Sequence, residues 1–192
     1  NSATLAKEMA QSELPKVNIQ VFDSRTTVGA YGFIVLAAAR AAASGQEMDQ
    51  VIEVASKVRE KVNCVFIFDT LSYLARSGRI GRAAALMGNM VSIKPIVEVS
   101  SSSGIVEPVA RVRTKSKAIQ RLLEIVKQRG GANGRLHIIV EHTCSADEAE
   151  RLKQTILGQF NRAELLLSEF NPLASLITGP GNLGLSFYAD TI

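Results

Sequence analysis

Tryptophan is absent from the 192 residues, and aromatic residues make up only 5% of them. A surface that stacks nucleic-acid bases has few rings to build from. Cysteine is scarce as well. Cys64 and Cys144 stand far apart without partner spacing, which excludes a disulfide framework and favours a reduced, cytoplasmic protein. No long hydrophobic run occurs; even the stretch from Gly32 to Ala43 is interrupted by Arg40, so no transmembrane segment is expected. The opening residues NSATLAKEMA lack a basic start followed by an apolar core and are not a secretion signal. An excess of one charge is missing too: 22 Lys+Arg against 18 Asp+Glu leave +4, spread along the chain rather than gathered in a tail. Nothing here indicates a nucleic-acid partner.

What is present is a globular composition, 46% hydrophobic and 21% charged, dominated by aliphatic residues and alanine. The length suits one ordinary domain or two small ones. Periodicity alternates between helix and strand. The first residues form an amphipathic helix that Pro15 ends, and Val17 to Phe22 reads as a buried strand. Val28 to Ala43 is a buried helix stopped by Ser44-Gly45, and Met48 to Val62 is an amphipathic helix. Cys64 to Phe68 is a short strand, Leu71 to Ala75 a helical turn capped by Asp69-Thr70, and Arg82 to Met90 a further helical stretch. Val91 to Val99 and Ile105 to Val112 form a hairpin around the SSSSG loop. Thr114 caps a helix that ends at Gly130-Gly131, Leu136 to Glu141 is a strand, and Ser145 caps a long helix with acids in its first turns. Glu164 to Phe170, a GPGNLG turn and a strand from Leu183 to Tyr188 complete an α/β chain with at least one antiparallel pair.

Two segments carry polar chemistry. RSGRIGR places Arg76, Arg79 and Arg82 around two glycines at a helix start, where free N–H groups and the helix dipole favour an anion; a planar guanidinium suits a carboxylate or phosphate. The alternative is a solvated loop with ordinary surface arginines. GPGNLG, from Gly179 to Gly184, has the G-x-G-x-x-G spacing, yet the eight residues after it leave no room for a dinucleotide-binding unit. It is either a turn whose amides, with the Thr178 hydroxyl, face an anion, or a purely structural turn. His137 and His142 point to opposite faces of a strand and do not form a metal pair. Neither cysteine has a basic neighbour in sequence that would make it a nucleophile.

The run FDTLSYLARSGRIGRAAALMGNMVSIKPIVEV, from Phe68 to Val99, resembles the signature of the DegV family of bacterial fatty-acid-binding proteins. VFDSRTTVGAYG, GIVEPVARVRTKSKAIQRL, VEHTCSADEAERL and TGPGNLGLSF resemble further segments of that family, in the same order. The resemblance implies a two-lobed α/β fold, with residues 1–62 the remnant of a first lobe and 63–192 a complete second lobe holding the acyl chain on a mixed sheet. It implies a carrier, not an enzyme, without a cofactor, whose ligand is a long-chain fatty acid presented to a separate fatty acid kinase.

Residue by residue, Arg79 of the G-R-I motif is the first candidate for the head group, followed by Thr178 and Gly179. Leu86, Met90 and Ile93 are candidates for the acyl tunnel or else plain core, and Arg113 matches a family arginine implicated in docking the kinase. Many members have His before T-G-P-G where this chain has Ile177. The family's T-S-x-P loop and S-S-x-x-S-G-T segment, which hold the carboxylate, have no counterpart here, so a weakened hold on lipid is expected. The chain lacks an initiator Met and opens inside a helical pattern, as a piece of something longer would. Two rival expectations stand beside the carrier: a phosphoryl- or acyl-transfer enzyme using the Arg79 corner, and an interaction lobe that self-associates through its exposed first-lobe surface.

Overall fold

A computed structural model describes residues 2–88, 93–131 and 134–190. Helix α1 (Ser2–Glu13) leads into an extended segment, followed by α2 (Val28–Ala43) and α3 (Met48–Lys61). Then come β1 (Asn63–Ile67), α4 (Ser72–Arg76), a 3-10 turn (Gly81–Leu86) and the hairpin β2 (Lys94–Val99) and β3 (Val106–Val112). The chain continues through α5 (Lys115–Gly130), β4 (Leu136–His142), α6 (Ala146–Gln159), β5 (Arg162–Glu169), α7 (Pro172–Thr178) and β6 (Leu183–Ala189).

The strands form one sheet in the order β3-β2-β1-β6-β4-β5. Only β4 and β5 run parallel, joined by α6 as a crossover helix; all other neighbours are antiparallel. This is the mixed α/β sheet expected from sequence. Because side chains alternate across a strand, each strand supplies two cores. Val65, Ile67, Ile138, Val140, Leu185 and Phe187 face α5 and α6. Cys64, Phe66, Val97, Ile139 and Tyr188 face the other way, toward α2, α3 and α4. Burial on both faces explains why β1 and β6 read as continuous apolar runs rather than alternating ones.

One expectation is met in detail: Thr114 caps α5, its hydroxyl accepting from Lys117 N–H at 3.3 Å. Others need correction. Asp69-Thr70 does not cap α4: Leu71 holds the N-cap without a side-chain bond, Thr70 Oγ1 accepts from Ser72 N–H at 3.2 Å, and Asp69 pairs with Lys94 at 2.6 Å. Val17 to Phe22 is extended but pairs with no described strand; it crosses the helical layer, where the Phe22 ring lies 4.8 Å beneath the Arg59 guanidinium. The helix expected from Arg82 is the shorter 3-10 turn Gly81–Leu86, and residues 89–92 lie outside the described residues. Its start is pinned by Gly81, at φ +54, where a Cβ would stand 2.6 Å from Val106 O. Ser145 occupies the N-cap of α6 without a side-chain cap bond. Helix α7 was not expected, although Asn171 caps it through Ala174 N–H at 2.9 Å and Pro172 opens it.

Gly184 on β6 lets the Phe66 ring lie flat against the strand, since a Cβ there would meet the ring at 2.0 Å. Gly184→Ala is expected to lower unfolding stability by about 1–3 kcal/mol through overpacking; an unchanged urea midpoint would contradict this packing.

Candidate functional site

On the α4 side of the sheet lies a cavity of about 400 Å³. Its floor is apolar: Phe66 from β1, Phe68 just after it, and Val97 and Val99 from β2. Leu74 of α4, Ile105 and Val106 of the hairpin, and Phe170, Ala174 and Ile177 around α7 build the walls. Phe66 lies edge-on to Phe170 at 5.2 Å between centroids and to Phe68 at 6.5 Å. Polar groups are few. Thr26 and Thr27 line one side, and Arg79, Glu98 and Thr178 lie elsewhere on the lining. A mostly apolar pocket with a few polar groups is the usual form of a small-molecule site.

The three arginines of RSGRIGR separate here. Arg76 lies over the Tyr73 ring at 4.8 Å, and Arg82 pairs with Glu107 at 2.9 Å. Arg79 donates through Nη1 to Ser77 O at 2.7 Å and, among the described residues, forms no ion pair. The carboxylate that shares its cavity, Glu98, is engaged by Arg129 at 2.5 Å. Arg79 thus brings an unneutralised cation to an apolar pocket, the arrangement that attracts an organic anion.

The terminal turn behaves differently. Thr178 lines the cavity, but its hydroxyl hydrogen is given to Ala174 O at 2.8 Å, which leaves its oxygen only to accept. Gly179 is off the cavity wall. Its N–H donates to Ser175 O at 2.8 Å, its carbonyl accepts from Asn182 Nδ2 at 2.6 Å, and at φ +79 it passes so close to Tyr73 that a Cβ would lie at 2.3 Å. The Gly181 N–H is also spent, on Thr143 O at 2.9 Å. Of the two readings of GPGNLG, the geometry supports the structural turn.

Leu86 and Ile93 border a separate depression of about 250 Å³ shared with Asp69, Thr70, Ser72 and Arg111, and Met90 lies outside the described residues. Arg113 is exposed between β3 and α5. Ile177 is part of the cavity wall. The sequence reading missed the cavity's aromatic lining, because Phe66, Phe68 and Phe170 have the same signature whether they border a void or fill one.

It also missed a buried acid. Glu141, on β4, is 2% exposed. Gly29 N–H, in the first turn of α2, donates to its Oε1 at 2.7 Å, and Ser186 Oγ–H on β6 donates to its Oε2 at 2.5 Å. Burial pushes the carboxyl up to about 7. Burial also pushes up the neighbouring Cys64 thiol, with the Glu141 carboxylate adding to the effect.

The histidines are both engaged. His137 bridges Glu164 and Asp190, each at 2.8 Å, and stacks on Tyr188 at 4.4 Å. Arg40, and secondarily His137, hold Glu164 below the usual carboxylate range. His142 Nδ1 accepts from Ser145 N–H at 3.4 Å at the start of α6. Among the described residues, no group of three or more His, Cys, Asp or Glu is placed to hold a metal, and no helix is long and apolar enough to cross a membrane.

Comparison with known proteins agrees with this architecture. The family model described as "Uncharacterised protein, DegV family" matches residues 1–190. A DegV domain-containing protein of Clostridium acetobutylicum is 33% identical over 190 residues, covering 99% of this chain and 66% of that protein. One from Streptomyces coelicolor is 38% identical over 184 residues, covering 94% of this chain and 63% of the relative. The solved structure "Fatty Acid Binding of a DegV family Protein from Thermus thermophilus" superposes with a TM-score of 0.87 at 27% identity, over 95% of this chain and 65% of that one. The chain therefore spans just under two thirds of the length of these relatives. By its sequence over nearly its whole length and by its fold, the chain belongs to the DegV family.

Proposed function

We propose that the chain binds a long-chain fatty acid, with the acyl chain in the cavity over Phe66, Phe68 and Val97 and the carboxylate drawn to Arg79. The observation that carries this reading is a guanidinium that, among the described residues, has no ion pair, on a mostly apolar pocket. Each methylene removed from water contributes about 0.8 kcal/mol, so the acyl chain supplies most of the affinity and the arginine its orientation. The Thermus thermophilus relative described as binding fatty acid supports the ligand class.

In this reading the protein is a carrier and not an enzyme. It works in a reducing, cytoplasmic setting that suits its free cysteines. It presents the carboxyl group to a separate kinase that docks near the exposed Arg113. Thr178 accompanies Arg79 as an acceptor, able to receive a hydrogen bond only from a protonated head group; Gly179 shapes the turn beside it. Leu86, Met90 and Ile93 belong to the tunnel only if the acyl chain extends past the described cavity toward the 3-10 turn.

Residues 1–62 belong to a first lobe and 63–192 to the acyl-binding lobe. The exposed Leu5, Met9, Leu14, Val17 and Val21 support a first-lobe surface that another segment or a second copy covers.

Protein purified from cells is expected to release a long-chain fatty acid on solvent extraction, detected by mass spectrometry; a lipid-free extract would count against the carrier reading. Arg79→Ala should weaken fatty-acid binding about tenfold, roughly 1.4 kcal/mol, with little change in thermal midpoint, because Arg79 is exposed and makes no ion pair among the described residues. Equal affinity would remove Arg79 from the head-group site. Ala174→Trp, which fills the cavity from α7, should abolish uptake in a calorimetric titration while the helix persists by circular dichroism.

A further inference from the structure

Glu141 is a buried carboxyl without a counterion. Among the described residues it forms no ion pair, and both of its oxygens are met by neutral donors, Gly29 N–H and Ser186 Oγ–H. The titratable group facing it from β1 is the Cys64 thiol; β6 offers the Ser186 hydroxyl, and α2 offers only backbone.

Above the carboxyl, the start of α2 departs from ordinary helix geometry. Thr27 sits at the N-cap but makes no side-chain cap bond, so the first-turn amide of Gly29 would be an orphan donor without Glu141. Val28 is β-branched yet holds φ +43, a conformation that such residues rarely adopt. Gly29 comes so near that a Cβ would stand 2.7 Å from the carboxyl carbon. Thr26, Thr27 and Val28 all line the cavity. A strained turn persists only where surrounding structure over-determines it. Here the Glu141 carboxyl does so, where the helix's own cap does not.

We propose that Glu141 is a positioning residue for the cavity: through Gly29 N–H it holds the strained Thr26–Val28 turn in the shape that forms one wall of the ligand site. This rests on the fatty-acid reading of the cavity. Removing the carboxyl frees Gly29 N–H and lets Val28 relax out of its left-handed conformation, so the wall shifts while the sheet and helices remain. A merely structural Glu141 would change stability and leave the affinity of the folded protein untouched.

The carboxyl also ties the fold to pH. It ionises near 4.5 when unfolded and near 7 when folded. The stability it contributes is therefore fully present below about 4.5 and is lost as the pH rises through about 7.

The test uses the whole chain as wild type, Glu141→Gln, Glu141→Ala and Ser186→Ala. It combines calorimetric titration with oleic acid and amide hydrogen exchange of the ligand-free protein. Glu141→Ala is expected to speed exchange at Gly29 and Ala30 and to weaken oleate by about tenfold each. Glu141→Gln, which keeps an oxygen for Gly29, should restore both to within about threefold of wild type. Wild type should lose thermal stability between about pH 5 and about pH 8, and Glu141→Gln should not.

Unchanged exchange in Glu141→Ala overturns the proposal whether or not oleate binds. Faster exchange with unchanged affinity also overturns it, leaving a structural role alone. If Glu141→Ala fails to fold, Ser186→Ala must loosen the same amides and weaken oleate, and no effect there overturns the proposal. A wild type that takes up no oleate sinks the fatty-acid reading, while the exchange result still decides whether Glu141 holds the turn.

Discussion

Strand β6 hydrogen-bonds to β1 on one side and to β4 on the other, and through it alone the β3-β2-β1 ribbon and the β4-β5 pair become one sheet. Its alternating side chains set the character of both faces. Leu183, Leu185 and Phe187 belong to the core under α5 and α6. On the opposite face, Gly184 receives the Phe66 ring, Ser186 donates to Glu141, and Tyr188 stacks on His137. A glycine, a hydroxyl and an aromatic in successive positions thus shape the cavity floor, the buried acid and the far ion cluster. Replacing the small residues of this row would disturb all three, because the helices of that face lie directly over the strand.

Charge is distributed with a similar economy. Around the cavity, Arg82 is matched by Glu107 and Glu98 by Arg129, so their fields largely cancel. Among the described residues, Arg79 is left without an anion at the edge of apolar walls. Behind the Thr26–Val28 wall the situation is reversed: among the described residues Glu141 is an acid without a paired cation, satisfied by a helix amide and a hydroxyl. A carboxyl held in this way is tolerable because it is easily protonated and because the N-terminus of α2 presents positive potential to it. In the proposed function Arg79 meets the ligand's charge, while Glu141 brings no competing cation near it.

Much of the fold was legible in the sequence because its signals are local. The amphipathic period of Met48 to Val62, the Thr114 cap and the apolar run of Cys64 to Phe68 need no distant partner to be read. Val17 to Phe22 failed for the opposite reason. Strand-forming residues make a strand only beside a free sheet edge, and this segment lies over α3 instead. Helix α7 is only seven residues long, too short for a clear amphipathic period, and follows directly on the leucine-rich strand β5.

For the site, the sequence places three arginines around two glycines and makes the core largely aliphatic. It could not determine which arginine stays unpaired, because Glu107 reaches Arg82 from another strand and the Tyr73 ring takes Arg76. Nor could it separate Phe66 and Phe170 as cavity walls from Phe187 as filled core. Glu141 looked like an ordinary polar residue near a strand end. Only the tertiary structure carried it beneath the start of α2, 112 residues earlier in the chain, since a void or a buried acid depends on what packs across from it and not on its neighbours in sequence.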